Sequence, residues 1–279
     1  MVLLVRYGEL SLKSPYVRRQ LEDRLAANVQ DMFAANGVEC VVKVARGRVF
    51  VHAEDEATAL RLLRRVFGIV SVSPAKEASS DLKTLAKEVV EYARGILTSA
   101  MSFAIRPRRS GQHPYTSQEL ARVLGQAVRD AVPGATVDLD APDREIHVEV
   151  RGPRAYVFHE VVGGPGGLPL GSQGTALAVA EDDVGMAATW LAMRRGCRPR
   201  VAGREPFLAA LRAWDPKLAS MEPMPVPSLL RLAAEKGEPL VLPSIEGLAT
   251  GDATPLVLCP LVGLSGDEVA ALARRIRDG

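Results

Sequence analysis

Between Gly163 and Gly171 the chain reads Gly-Gly-Pro-Gly-Gly-Leu-Pro-Leu-Gly. Prolines remove backbone donors, and glycines carry the largest entropy cost of ordering. Neither a helix nor a strand runs through such a stretch. It marks a connector, and with it the main domain boundary. A chain of 279 residues has room for two or three domains.

Ahead of the connector, the apolar pattern switches repeatedly between periods. Residues 2–5 predict a buried strand. Ser14 is placed as an N-cap and Pro15 as the first residue of a helix. Val17, Leu21, Leu25, Val29 and Phe33 recur at helical spacing down to Gly37. Residues 38–45 and 48–53 alternate about Gly47 as a hairpin. A helix over 57–67 and a strand over 69–73, closed by Pro74, complete a βαββαβ order. That order is the ferredoxin-like arrangement, assigned to residues 1–75.

Residues 76–167 form a second unit. Helices are expected over 82–97 and 117–132, the latter with Leu120, Leu124 and Val128 on one face. Strands are expected over 102–106, 136–139, 146–150 and 156–162. Residues 168–279 then alternate strands (176–180, 240–242, 256–259) with helices (183–195, 228–236, 267–276), which points to a parallel α/β sheet.

Charge and cysteine usage narrow the partners. Residues 1–174 hold 23 Lys and Arg against 20 Asp and Glu, while the remainder holds 12 against 13. The slight basic excess and all four histidines lie in the front part, which permits nucleic-acid binding without requiring it. Cys40, Cys197 and Cys259 lie far apart with no CxxC, which excludes a zinc ribbon or thioredoxin-like motif. No apolar run reaches the roughly 18 residues of a membrane helix. An odd cysteine count and no signal peptide fit a reducing cytoplasm.

Six stretches resemble, in order, the tRNA 4-thiouridine synthetase family. They are Arg6-Tyr-Gly-Glu-Leu-Ser-Leu-Lys-Ser14, Phe103-Ala-Ile-Arg-Pro-Arg-Arg-Ser-Gly-Gln-His113 and Asp138-Leu-Asp-Ala-Pro-Asp-Arg-Glu-Ile-His-Val-Glu-Val-Arg151. The others are Gly163 to Gly174, Met193-Arg-Arg-Gly-Cys197 and Cys259-Pro-Leu-Val-Gly-Leu-Ser-Gly-Asp-Glu-Val269. The resemblance implies an α/β and α+β multidomain chain: a ferredoxin-like domain, a THUMP α/β domain, then a reduced parallel-sheet domain of the PP-loop adenylation type. It also implies binding of the tRNA acceptor end by the THUMP domain. The family's dimer presents tRNA from one subunit's THUMP domain to the other's catalytic domain.

The candidate RNA-binding residues are Arg106, Arg108 and Arg109 with Ser110, Gly111, Gln112 and His113. Planar guanidinium groups pair with phosphate, and RNA is read largely through phosphate, shape and unpaired ends. A charged turn capped by Ser110 is the plainer reading of the same residues. Lys13, Arg18 and Arg19, near the first helix, would extend the track, although a solvated surface is the simpler account. Arg61, Arg64 and Arg65 are expected on a solvated face, and His147 and His159 as structural.

The family's phosphate loop reads Ser-Gly-Gly-x-Asp-Ser, whereas the corresponding residues here are Glu181-Asp-Asp-Val-Gly-Met186. The glycines become Asp182 and Asp183, the serines Glu181 and Met186, and the aspartate Gly185. Three carboxylates where a triphosphate would lie repel it, by about 1 kcal/mol per close pair in water and more at a surface-like dielectric. They are expected to cap the following helix instead. Residues 247–252 resemble a trimmed second nucleotide loop, and Cys197 and Cys259 are expected to be structural.

The expectation is a tRNA-binding protein with no adenylation of its own, no cofactor and no metal. Its partners would be tRNA, a second copy of itself and a separate sulfur-transfer or tRNA-modifying protein. The alternatives are an ATP-dependent tRNA sulfurtransferase, requiring ATP and Mg²⁺, and an assembly protein that no longer binds RNA.

Overall fold

The computed structural model describes residues 2–8, 14–45, 47–244 and 255–279. The chain forms two compact units. One holds residues 2–4 and 73–161, and the other holds 5–72 and 162–279. The ferredoxin-like part and the part after the connector thus fall into one unit.

The ferredoxin-like part runs β1 (Val2–Tyr7), α1 (Pro15–Ala35), β2 (Val41–Ala45), β3 (Arg48–His52), α2 (Glu56–Leu63) and β4 (Ile69–Ser79). Its strand order is β4–β1–β3–β2. The Ser14 hydroxyl accepts from the Val17 amide at 3.4 Å, and Pro15 opens α1 as its sequence position requires. Leu21, Leu25, Val29 and Phe33 are buried as their spacing demands, together with Asn28 and Met32, whereas Val17 at the start of the same run is exposed.

The next unit contains α3 (Leu82–Arg94), β5 (Ser102–Ser110), α4 (Ser117–Ala131), β6 (Thr136–Val137), β7 (Arg144–Arg151) and β8 (Arg154–Phe158). The end of β4 joins this sheet, in the order β4–β8–β7–β5–β6. Leu85 and Val89 of α3 and Leu120, Leu124 and Val128 of α4 pack on Phe103, Ile105, Ile146, Val148 and Val150. A capping box fixes the start of α4: Thr116 Oγ1 accepts from the Glu119 amide at 3.1 Å, and Glu119 Oε2 accepts from the Thr116 amide at 2.7 Å.

Strand β9 (Val162–Gly163) leads into the connector, and after it come β10 (Thr175–Ala180), α5 (Asp183–Arg194), β11 (Arg198–Gly203), α6 (Phe207–Arg212) and β12 (Ala219–Met221). They are followed by α7 (Val226–Lys236), β13 (Leu240–Val241), β14 (Val257–Leu258) and α8 (Gly266–Asp278). The sheet order is β12–β11–β10–β13–β14, all parallel. One face packs α5, α6 and α8, through Met186, Trp190, Leu211, Ala273 and Ile276. The other packs Leu229 and Ala233 of α7 on Leu177, Ala202 and Leu240.

Three expectations are corrected. Strand β4 does not stop at Pro74. It pairs with β9 at Ser71–Val72 and with β8 at Lys76–Ser79, so proline's missing N–H falls outside both ladders. Strand β5 does not stop at Arg106, because β7 pairs with it continuously from Phe103 to Ser110. Elements β11, α6 and β12 were not expected at all. Pro199 and the flanking arginines obscure the apolar run, and the heads of Arg198 and Arg200 leave the sheet to meet Asp215 at 3.0 Å and Glu238 at 2.7 Å.

Phe67, just before β4, fastens the ferredoxin-like part to the parallel sheet. Its ring lies 5.3 Å from Trp190 and 5.5 Å from Trp214, and the two indoles are 5.1 Å apart. Beside them Asn28 Nδ2 donates to the Leu170 carbonyl at 3.1 Å, and Trp214 Nε1 donates to the Ile276 carbonyl at 2.9 Å. Phe67→Ala should cost about 3–5 kcal/mol, since the rigid walls cannot close the cavity. Val161→Ala at an exposed position should change stability by less than about 0.5 kcal/mol. Urea unfolding of the two variants measures the difference, and equal midpoints would contradict the packing role.

Candidate functional site

The first candidate site lies where β5 turns into α4. Successive strand residues face opposite ways, so the three arginines divide between two faces. Phe103 and Ile105 point into the helix-covered core, and Arg109 follows them. Its Nε donates to Ser117 Oγ in the first turn of α4, at 3.1 Å. Arg106 and Arg108 take the other face. Arg106 Nε donates to Glu145 Oε1 at 2.6 Å and its NH2 to the Leu139 carbonyl at 2.8 Å. That guanidinium is largely committed to β7 and the loop before it. Arg108 is exposed and makes no ion pair among the described residues. Its register neighbour, Glu149, is buried and held by Arg151 at 2.6 Å.

The turn itself is built rather than loose. Gly111 has φ +96°, a left-handed backbone that favours glycine. His113 Nε2 donates to the Ser110 carbonyl at 3.2 Å, and its ring stacks on Tyr115 with centroids 5.7 Å apart. The Tyr115 hydroxyl donates to the Ser80 carbonyl at 2.6 Å, and burial pushes its pKa up. Ser110 is half-buried in the last position of β5, while Gly111 and Gln112 are exposed. The structure therefore presents Arg108, Gly111 and Gln112 outward, uses Arg109 and His113 to shape the turn, and ties Arg106 to β7 and the loop before it. His147 stacks on Phe158 at 5.0 Å, and Tyr92 Oη lies 2.7 Å from His159 Nδ1.

Arg18 and Arg19 lie in the first turns of α1, in the other unit. Arg18 is half-buried beside the Tyr7–Glu22 hydrogen bond, whereas Arg19 is exposed. Burial, followed by Glu22, raises the Tyr7 pKa far above its ordinary value. Lys13 lies outside the described residues, as do residues 247–252.

The second candidate site is the β10–α5 loop, in the centre of the parallel sheet. Sheet order reverses between β10 and β13, the place where α/β sheets hold ligands. Here the chain fills that place itself. Asp182 is the N-cap of α5, and its Oδ1 accepts from the Gly185 amide at 2.7 Å. Its carbonyl accepts from the Met186 amide at 3.0 Å. Asp183 pairs with Arg277 of α8, and Glu181 with Arg204 at 3.5 Å. An amide that a phosphate would need already faces a fixed carboxylate. Helix α5 also sits close against β10, and a Cβ at Gly185 would lie 2.7 Å from the Val179 carbonyl oxygen. These residues do not fit a nucleotide triphosphate.

No group of three or more His, Cys, Asp or Glu able to hold a metal occurs among the described residues. No described helix is long and apolar enough to cross a membrane. Burial pushes the Cys197 and Cys259 thiols up, away from the reactive thiolate form.

Comparison with known proteins matches residues 2–73 to the ThiI ferredoxin-like domain and residues 79–160 to the THUMP domain. A probable tRNA sulfurtransferase of Methanothermobacter thermautotrophicus is 42% identical over 203 residues, covering 71% of this chain and 51% of that protein. A probable tRNA sulfurtransferase of Aeropyrum pernix is 42% identical over 201 residues, covering 70% and 50%. The chain spans about half the length of these relatives. Among solved structures, PH1313 of Pyrococcus horikoshii superposes with a TM-score of 0.82 at 24% identity, covering 99% of each chain. A 4-thiouridine synthetase–RNA complex with bound ATP gives 0.76 at 22% identity, covering 99% of this chain and 84% of that one. These structures share the fold: a ferredoxin-like domain, a THUMP domain and a parallel-sheet domain of the PP-loop type.

Gly185→Ala tests the seating of α5. Alanine gains about 1 kcal/mol of helix propensity over glycine. Contact with a backbone oxygen costs about 1–3 kcal/mol, because neither partner can rotate away. The variant should therefore unfold at lower urea concentration than the parent. A higher midpoint would show that α5 has room for a side chain there.

Proposed function

We propose that this chain, which belongs to the ThiI-like tRNA sulfurtransferase family through its ferredoxin-like and THUMP domains, binds the acceptor end of tRNA without adenylating it at the β10–α5 loop. The match of residues 79–160 to the THUMP domain carries the RNA-binding half of this reading. The outward Arg108, beside the exposed Gly111 and Gln112, supplies the chemistry for it. A guanidinium that needs no release from an ion pair meets a phosphate at little cost. Arg106 and Arg109 hold the strand and turn in place behind it.

The second reading is an ATP-dependent tRNA sulfurtransferase. The names of the relatives favour it over a non-catalytic binder, since these proteins are called tRNA sulfurtransferases. Residues 181–186 favour the binder, because Asp182 occupies the amide of Gly185. A binder of this kind would pair with a second copy of itself and pass tRNA to a separate sulfur-transfer or tRNA-modifying protein. Three free thiols suit a reducing compartment such as the cytoplasm.

Two measurements test the proposal. Arg108→Ala should lower the slope of log affinity for tRNA against log salt by about 0.7–0.9, the share of one phosphate contact. Arg106→Ala should act chiefly on stability, because it removes the guanidinium from Glu145 and leaves that carboxylate with His147 at 3.5 Å. An unchanged slope in Arg108→Ala would remove this strand end from the interface. Calorimetry with Mg·ATP should give no binding heat, and a saturable heat would favour the sulfurtransferase.

A further inference from the structure

The loop between β6 and β7, residues 138–143, holds an apolar side chain out to solvent. Leu139 is 62% exposed, although the backbone that carries it is fastened on both sides. The Asp138 amide donates to the Phe103 carbonyl at 3.1 Å, and Arg106 NH2 donates to the Leu139 carbonyl at 2.8 Å. At the far end Asp143 Oδ2 accepts from the Ser102 amide at 2.7 Å, and the Asp143 amide donates to Ser102 Oγ at 3.0 Å. We propose that Leu139 is a base-contacting residue, whose side chain packs on the face of the unpaired 3′-terminal base of tRNA while Arg108 takes the adjoining phosphate. The proposal rests on the tRNA-binding reading above.

Position supports this pairing of roles. Arg106 and Arg108 share one face of β5, and the reach of Arg106 to Leu139 puts the loop on that face. Arg108 stands two residues further on, about 7 Å along the strand. It is exposed and makes no ion pair among the described residues. A single exposed leucine is ordinary on a protein surface. This one stands on a fixed loop beside an available guanidinium, within the stretch matched to the THUMP domain. The rings of the neighbouring turn are already spent, since His113 stacks on Tyr115 and Tyr115 is buried. Leu139 supplies the apolar surface that they do not.

Charge decides which part of a nucleotide fits the loop. Asp138, Asp140 and Asp143 flank Leu139 along the chain. Asp138 Oδ1 accepts from the Asp140 amide at 2.9 Å and the Ala141 amide at 3.1 Å. Backbone donors hold the Asp138 and Asp143 carboxyls below the usual carboxylate range, so both stay charged. Phosphate is repelled from such a loop, and an uncharged base is not. Unpaired RNA ends are read through bases that leave their stack and pack on side chains. Because the loop is fastened before RNA arrives, its ordering adds little to the entropy lost on contact.

The test titrates the whole chain and its variants with tRNA, intact and with the 3′ CCA removed. Leu139→Ala should weaken binding of intact tRNA roughly fivefold through lost apolar burial. Its salt slope should match the parent's, because no phosphate contact is lost. Affinity for the trimmed tRNA should not move. Leu139→Phe should restore the affinity, since a ring covers the face of a base at least as well. An exposed position of this kind leaves stability nearly unchanged, and matching urea midpoints show that both variants are folded. Unaltered binding of intact tRNA by Leu139→Ala, with Arg108→Ala still lowering the slope, would overturn the base contact and leave the proposed function standing. A lowered slope in Leu139→Ala, or an equal loss for the trimmed tRNA, would overturn the assignment to a terminal base. A parent protein that binds intact and trimmed tRNA equally would overturn both.

Discussion

The contact of Phe67 with Trp190 and Trp214 joins two folds that neither pattern nor chain order requires to touch. Phe67 lies in the turn between α2 and β4, and Trp190 lies within α5. Around the three rings, Asn28 of α1 reaches the Leu170 carbonyl and the Arg198 guanidinium. Arg198 in turn meets the buried Asp215, whose pKa burial raises and Arg198 opposes. A buried ion pair of this kind adds little stability over an apolar pair, but losing one partner strands the other. The cluster therefore fixes one arrangement of α1, the connector and β11.

At the centre of the parallel sheet, the chain's own side chains take the place of a ligand. A helix N-terminus attracts anions whether they come from solvent or from the preceding residue. Asp182 supplies one covalently attached, at an effective concentration no free phosphate matches. Arg277 and Arg204 then balance Asp183 and Glu181, and Arg277 ties α8 to the start of α5. The acids thus contribute to the fold, through a cap and two ion pairs. The close seat of Gly185 against Val179 makes this more than a change of charge.

Much of this was legible in the sequence. Period and punctuation located α1, α4, α5 and the ferredoxin-like order, because Ser14, Pro15 and the run from Leu21 to Phe33 act locally. The role of Asp182 as a cap was legible for the same reason. Long-range pairing was not. Residues 107–110 look like a charged loop until β7 is seen to pair with them, and only then do Arg108 and Arg109 face opposite ways. Nor does the sequence reveal that Arg106 spends its donors on Glu145 and Leu139. Strand β11 stayed hidden because Pro199 and its arginines resemble a turn, while Asp215 and Glu238, which neutralise them, lie 17 and 38 residues away.

The central claim is that this chain recognises the acceptor end of tRNA. It is tested most directly by titrating the purified protein with one tRNA, intact and with its 3′ CCA removed. The account predicts clearly tighter binding to the intact molecule, with the difference surviving at salt concentrations that erase non-specific binding. Equal, weak and salt-erased binding to both would contradict it.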